Sequence, residues 1–379
     1  MVISLILAAL AQAAVAAPDD SIIITAPYAR LRSDLERCEK GGCGTIEDIK
    51  ASVRFAEAAF RKGDYTDART ALRKSVLRNR DAAPQHPEAV SNLYYAQARV
   101  AQHYGDQSEY AKAAYDSYRV LREHRPDNQD RFRAEMEVGD MLLSRGEGRE
   151  ADRTYAAGEA RASAAGAPKL AAAFTLRRAW VDYLGNNKEG AKRRLDALAA
   201  EAPSPSVATA ARVLRARIAR REGDEALSDR LIAAVEAQPA AAPVLIHQPD
   251  MADLVRDPRR FGNDPLRDIN AATAARSSDL TSIEWVDVGF WIRPDGSVAD
   301  AEFLRGRGER RWARPVLALV SGRRYAPVRA DPGEPGTYRV ERFTATADFI
   351  TPAGSVIRRR AGAAKVVSQD LSTETVQRD

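Results

Sequence analysis

Residues 53–76 read VRFAEAAFRKGDYTDARTALRKSV, and this stretch decides the fold of the first two thirds of the chain. Val53, Ala56 and Phe60 recur at helical spacing before the break, and Ala68, Leu72 and Val76 after it. Gly63-Asp64-Tyr65 divides the two runs, so the stretch reads as two amphipathic helices joined by a glycine turn. The unit then recurs. Gly63, Gly105, Gly146, Gly185 and Gly223 each close one helical pattern and open another, at intervals near forty residues. A single hairpin cannot bury its own apolar stripe, so a repeated one implies a stack. Residues 45–238 are therefore expected to form an all-α helical-hairpin array.

The residues around the turns resemble tetratricopeptide repeats. Gly63-Asp64-Tyr65-Thr66-Asp67-Ala68 has that family's Gly-x-Tyr-x-x-Ala pattern. The second unit keeps Tyr110 and Ala113, the third keeps Gly146 and Ala151, and the last two keep little beyond Gly185 and Gly223-Asp224. The interval exceeds the family's strict period of about 34 residues. The resemblance implies a concave groove that takes a peptide or protein. Six tyrosines crowd the second unit (Tyr94, Tyr95, Tyr104, Tyr110, Tyr115 and Tyr118), and their helical spacing favours packing over a binding surface.

The chain ends differently. Gln238 to Pro243 stop the helical pattern, and 239–284 read as a linker and lead-in. Val286, Val288, Phe290 and Ile292 then alternate with period two. Arg293-Pro294-Asp295-Gly296 is a turn, 297–304 a second strand, 309–323 a helix, and 338–349 a last strand. The pattern is a small α+β domain over 285–350. It resembles the TonB C-terminal domain in Val288-x-Phe290-x-Ile292-x-Pro294-Asp295-Gly296-x-Val298 and Arg323-Arg324-Tyr325-x-Pro327. The resemblance implies docking by strand addition, with the last strand as the edge: Phe343, Thr344, Ala345, Thr346, Ala347 and Phe349. Residues 351–379, polar and mixed in charge, read as a flexible tail.

Residues 1–16 read as a signal peptide: Val2 to Leu10 are apolar, and Ala14-Val15-Ala16 is a small-residue cleavage pattern, although no Lys or Arg precedes the apolar run. That run is short for a membrane span. The segment 17–44 holds the two cysteines, Cys38 and Cys43, and export makes them an expected disulfide. The expected compartment is the periplasm. The net charge is +5, but only nine residues are Lys and the charges interleave, so nucleic acid is not an expected partner. The four His residues (His86, His103, His124 and His247) share no metal-ligand spacing, and no phosphate loop or nucleophile motif occurs. The sequence thus reads as a periplasmic binding or scaffolding protein that uses no cofactor and whose partners are envelope proteins. A TonB-type accessory of outer-membrane transport and an envelope enzyme are the rival readings.

Overall fold

A computed structural model describes residues 28–237, 243–249, 251, 283–307, 313–328, 335–350 and 359–372. The expected signal peptide, residues 17–27, most of the lead-in and the final residues lie outside this set.

Eleven helices come first among the described residues: α1 Tyr28–Glu39, α2 Thr45–Lys62, α3 Tyr65–Asn79, α4 Pro87–Tyr104, α5 Gln107–His124, α6 Asp130–Ser144, α7 Gly148–Ala164, α8 Pro168–Leu184, α9 Lys188–Ala200, α10 Pro205–Arg221 and α11 Glu225–Glu236. From α2 onward they pair into five hairpins, and one local geometry makes each turn. The first helix ends on a left-handed residue, Gly63, Gly105, Gly146 or Gly223. The next N–H then reaches back to the carbonyl five residues earlier, as Asp64 does to Ala59 and Asp224 to Ala219. In the fourth hairpin the left-handed residue is Asn186, with φ of 67°, while Gly185 is ordinary. The expected turn is there, moved by one residue onto the other side chain that tolerates this region.

Small residues let the helices close on one another. A Cβ added at Gly139 would overlap the Tyr155 ring, and one at Gly158 the Phe174 ring. The first helices of successive hairpins approach one another, α2 with α4, α6 with α8 and α8 with α10. The second helices stand further apart, so the array curves with its first helices inside. Ahead of it, α1 is tied to the loop that leads into α2 by a disulfide between Cys38 and Cys43, whose Cα atoms lie 4.8 Å apart. The left-handed Gly41 makes that short loop possible.

The remaining elements are β1 Leu245–His247, β2 Glu284–Ile292, β3 Val298–Arg307, α12 Ala313–Ser321, β4 Arg324–Tyr325, β5 Thr337–Ile350 and β6 Arg359–Asp370. An antiparallel sheet has the order β3-β2-β5-β6, and β1 pairs with β4. Pro315 is tolerated because it lies in the first turn of α12.

Two expectations fail here. Residues 343–349 are not an edge: β5 is hydrogen-bonded to β2 on one side and to β6 on the other. Phe343 and Thr344 are fully buried, Ala345 and Thr346 are partly so, and Ala347 and Phe349 occupy positions paired with Ala364 and Arg360. The cause is the second failure. Residues 359–370, read as part of a tail, are the strand that covers β5, and Leu371 after it is buried.

Candidate functional site: the inner face of the array and the sheet that bridges it

Strand β2, inside the sheet, is buried on both faces. Val286, Val288, Phe290, Ile292 and Phe343 pack against α12. The opposite face meets the first hairpins: Trp285, Val340 and Leu371 share a core with Phe60, Tyr65 and Leu93. At the centre of that contact is a row of charges set by strand register. Asp287 on β2 lies opposite Arg305 on β3 and Arg342 on β5. Arg342 and Asp287 are both fully buried, and the guanidinium binds both carboxylate oxygens, at 2.7 and 2.8 Å. Arg342 also donates to the carbonyls of Phe60 and Arg61 at the end of α2. Those carbonyls are the negative end of a helix, so a cation fits there. Thr344 extends the contact, with its hydroxyl 3.2 Å from Tyr65 Oη and 3.0 Å from His103 Nδ1.

The same C-terminal elements also reach the last hairpin. Ile246 and Ala326 pack with Val213 of α10 and Val235 of α11. Arg324 pairs with Glu236 at 2.9 Å, and Arg217 donates to the Leu245 carbonyl at 2.9 Å. The C-terminal part of the chain therefore bridges the two ends of the array. Within it, the motif residues Arg323 and Tyr325 are structural. Arg323 is buried, pairs with Glu341 and donates to Gln248, and Tyr325 stacks on Phe290.

Between the bridged ends, the first helices present a polar stripe built on helical spacing. Tyr95, Arg99 and Gln102 on α4 are followed one repeat later by Arg133, Glu137 and Asp140 on α6. Arg177 and Trp180 continue it on α8, and Arg217 and Arg221 on α10. Two tyrosines from second helices hold the carboxylates in place: Tyr110 donates to Glu137 at 2.8 Å and Tyr155 to Asp140 at 2.6 Å. Burial, reinforced by those carboxylates, holds both phenols well above their ordinary range, so both stay donors. Arg177 grips Asp140 from the next hairpin at 2.9 and 3.3 Å. Arg99 gives one bond to Gln102 at 2.9 Å and remains half-buried. The guanidinium of Arg133 covers the Tyr95 ring at 4.4 Å. Such a surface offers fixed hydrogen-bonding groups and aromatic faces to an extended ligand.

The tyrosine cluster divides accordingly. Tyr94 and Tyr110 are buried in the core, Tyr104 lies under Arg69, and Tyr115 is exposed. Sequence reasoning did not single out Arg99, Glu137, Asp140, Arg177, Trp180 or Arg217. Their signal was available: charged residues recurring one repeat apart on first helices whose neighbours are apolar. Among the described residues no group of three His, Cys, Asp or Glu side chains is arranged to hold a metal ion, and no helix is long and apolar enough to cross a membrane.

No protein-family model matches the chain, and no curated protein does. Several solved structures of helical repeats are similar to it. A putative kinesin light chain with nearly identical TPR-like repeats from Podosopora anserina is 15% identical, with 52% of this chain and 96% of that one covered and a TM-score of 0.44. BtubC (BKLC) from P. vanneervenii is 12% identical, with 59% and 97% covered and a TM-score of 0.45. The apo form of RapI is 11% identical, with 66% and 68% covered and a TM-score of 0.46.

Proposed function

We propose that the chain is a non-catalytic binding protein of the bacterial envelope that holds an extended peptide segment of a partner protein against the inner face of its helical array. The observation that carries this is the stripe from Tyr95 to Arg221, in which Glu137, Asp140 and Arg177 are fixed by their neighbours instead of free to rearrange. Preorganised donors and aromatic faces lower the ordering cost of binding. The Ala14-Val15-Ala16 pattern and the Cys38–Cys43 bond support the periplasm as the compartment. To test the reading, a displayed random-peptide library is selected on the full chain, and the selected peptides are titrated against variants. Tyr95→Ala and Arg133→Glu should weaken binding at least about tenfold, the loss of one charge-assisted or aromatic contact. Leu77→Ala, on an exposed face of α3, should not. Selected peptides that bind all three variants like the wild type would overturn the reading.

A second reading keeps the TonB-like expectation of strand addition but moves it. One edge strand of the sheet is β3, where Phe303 and Leu304 are 39% and 41% exposed. A partner strand added there would pair with β3 and cover both side chains. Protection of β3 amides from hydrogen exchange on adding a selected peptide, with no change in α4, α6 or α8, would favour it.

A further inference from the structure

On α10 the inner stripe ends in cations that meet no carboxylate among the described residues. Arg217 has the Leu245 carbonyl as its one hydrogen-bond partner there, and no ion pair. One turn on, Arg221 lies 5.2 Å from the centre of the Trp180 ring, also without an ion pair among those residues. Trp180 is only 5% exposed, yet its indole Nε1 has no acceptor among the described residues. Arg220 gives its bonds to His247 and, at 3.5 Å, to Asp229. The contrast with α8 is sharp: there Arg177 is saturated by Asp140, and Arg178 by Asp152 and Glu159. Burial, and after it the neighbouring Arg221, push Arg217 down to about 10.

We propose that Arg217 and Arg221, with the Trp180 ring beside Arg221, form an oxyanion subsite at the α10 end of the groove, and that its ligand is a carboxylate side chain of the bound peptide. The proposal rests on the peptide-binding reading above. A guanidinium matches a carboxylate with two parallel N–H donors. A carboxylate brought by a peptide would pair with the two arginines, beside the Trp180 ring that Arg221 covers.

The probes are an octaglutamate peptide and an octaglutamine peptide, each capped at both ends, and inorganic phosphate. Binding to the full chain is followed by titration calorimetry and by tryptophan fluorescence. Octaglutamate should bind at least about tenfold more tightly than octaglutamine. Arg221→Gln, exposed and so safe for the fold, should lose about tenfold or more, and Arg217→Gln likewise. Arg314→Gln, which removes an equal charge from an exposed position on α12, should change little. Trp180→Phe should abolish the fluorescence response. The subsite is refuted if the two peptides bind alike, if Arg221→Gln matches Arg314→Gln, or if phosphate binds more tightly than octaglutamate. Library-selected peptides that still depend on Tyr95 and Arg133 would leave the groove reading standing in that case; loss of that dependence would remove the groove reading itself.

Discussion

Replacing Asp287 by Ala strips the paired carboxylate from a fully buried guanidinium. Arg342 would keep the carbonyls of Phe60 and Arg61 but lose both charge-assisted bonds, now 2.7 and 2.8 Å long. Arg305, the cross-strand neighbour on the other side of Asp287, would lose the same anion. Breaking a buried pair by removing one partner costs about 3–5 kcal/mol. Against a typical stability of about 5–15 kcal/mol this is roughly a fifth of the total or more. Arg342→Met leaves Asp287 with the half-exposed Arg305 and leaves two helix-end carbonyls without their donor. The double variant removes both buried charges and should therefore be less damaged than the two single costs added, by roughly 1–3 kcal/mol. Urea unfolding followed by circular dichroism gives the free energies. Tryptophan fluorescence adds a local signal, since the Arg342 guanidinium lies 3.8 Å from the Trp285 ring centre. A loss below about 1 kcal/mol for Asp287→Ala, or strict additivity in the double variant, would refute the reasoning that this pair locks the sheet to the array.

Single positions give further tests. Gly63→Ala should cost more than Gly146→Ala: both are left-handed, at about 1–2 kcal/mol for a side chain there, but only at Gly63 would the new Cβ overlap the Trp285 indole; thermal unfolding of the two variants compares them. Thr344→Pro should unfold the sheet, at a cost of about 3 kcal/mol or more, because β5 is central and both of its sides are bonded; a folded variant by circular dichroism would restore the edge expectation. Burial raises the Asp48 carboxyl, but hydrogen bonds from Arg78 and Asn79 outweigh that and leave it below its ordinary 3.8. Its stabilisation is therefore complete above that value and is lost as pH falls below it. Asp48→Asn should cost about 2 kcal/mol at pH 7 and much less near about pH 2, measured by urea titration at both.

The array was legible because its turns are chemical. A left-handed residue can be recognised in a sequence, and even the exception at Asn186 uses the other side chain that accepts that geometry. The alternation in Val286, Val288, Phe290 and Ile292 correctly marked the face that packs under α12. The opposite face was not read, although Trp285 and Trp291 on it already mark a strand covered on both sides. Asp287 and Arg342 look like solvated charges in sequence, because only strand register brings them together. The edge was misplaced for a related reason. A strand stays an edge only if no later segment pairs with it, and 359–370 carry too many charged and small residues to announce a strand. The inner stripe stayed hidden because each of its members is an ordinary helix-surface residue until the hairpins stack.

The most direct test of the account is hydrogen exchange of the full-length protein with and without a library-selected peptide. Exchange should slow in α4, α6, α8 and α10, around Arg99, Glu137, Asp140, Arg177 and Arg217, and stay unchanged in the second helices α3 and α7. Protection confined to the second helices or to the β3 edge would contradict the claim that the inner face of the array is where this protein binds.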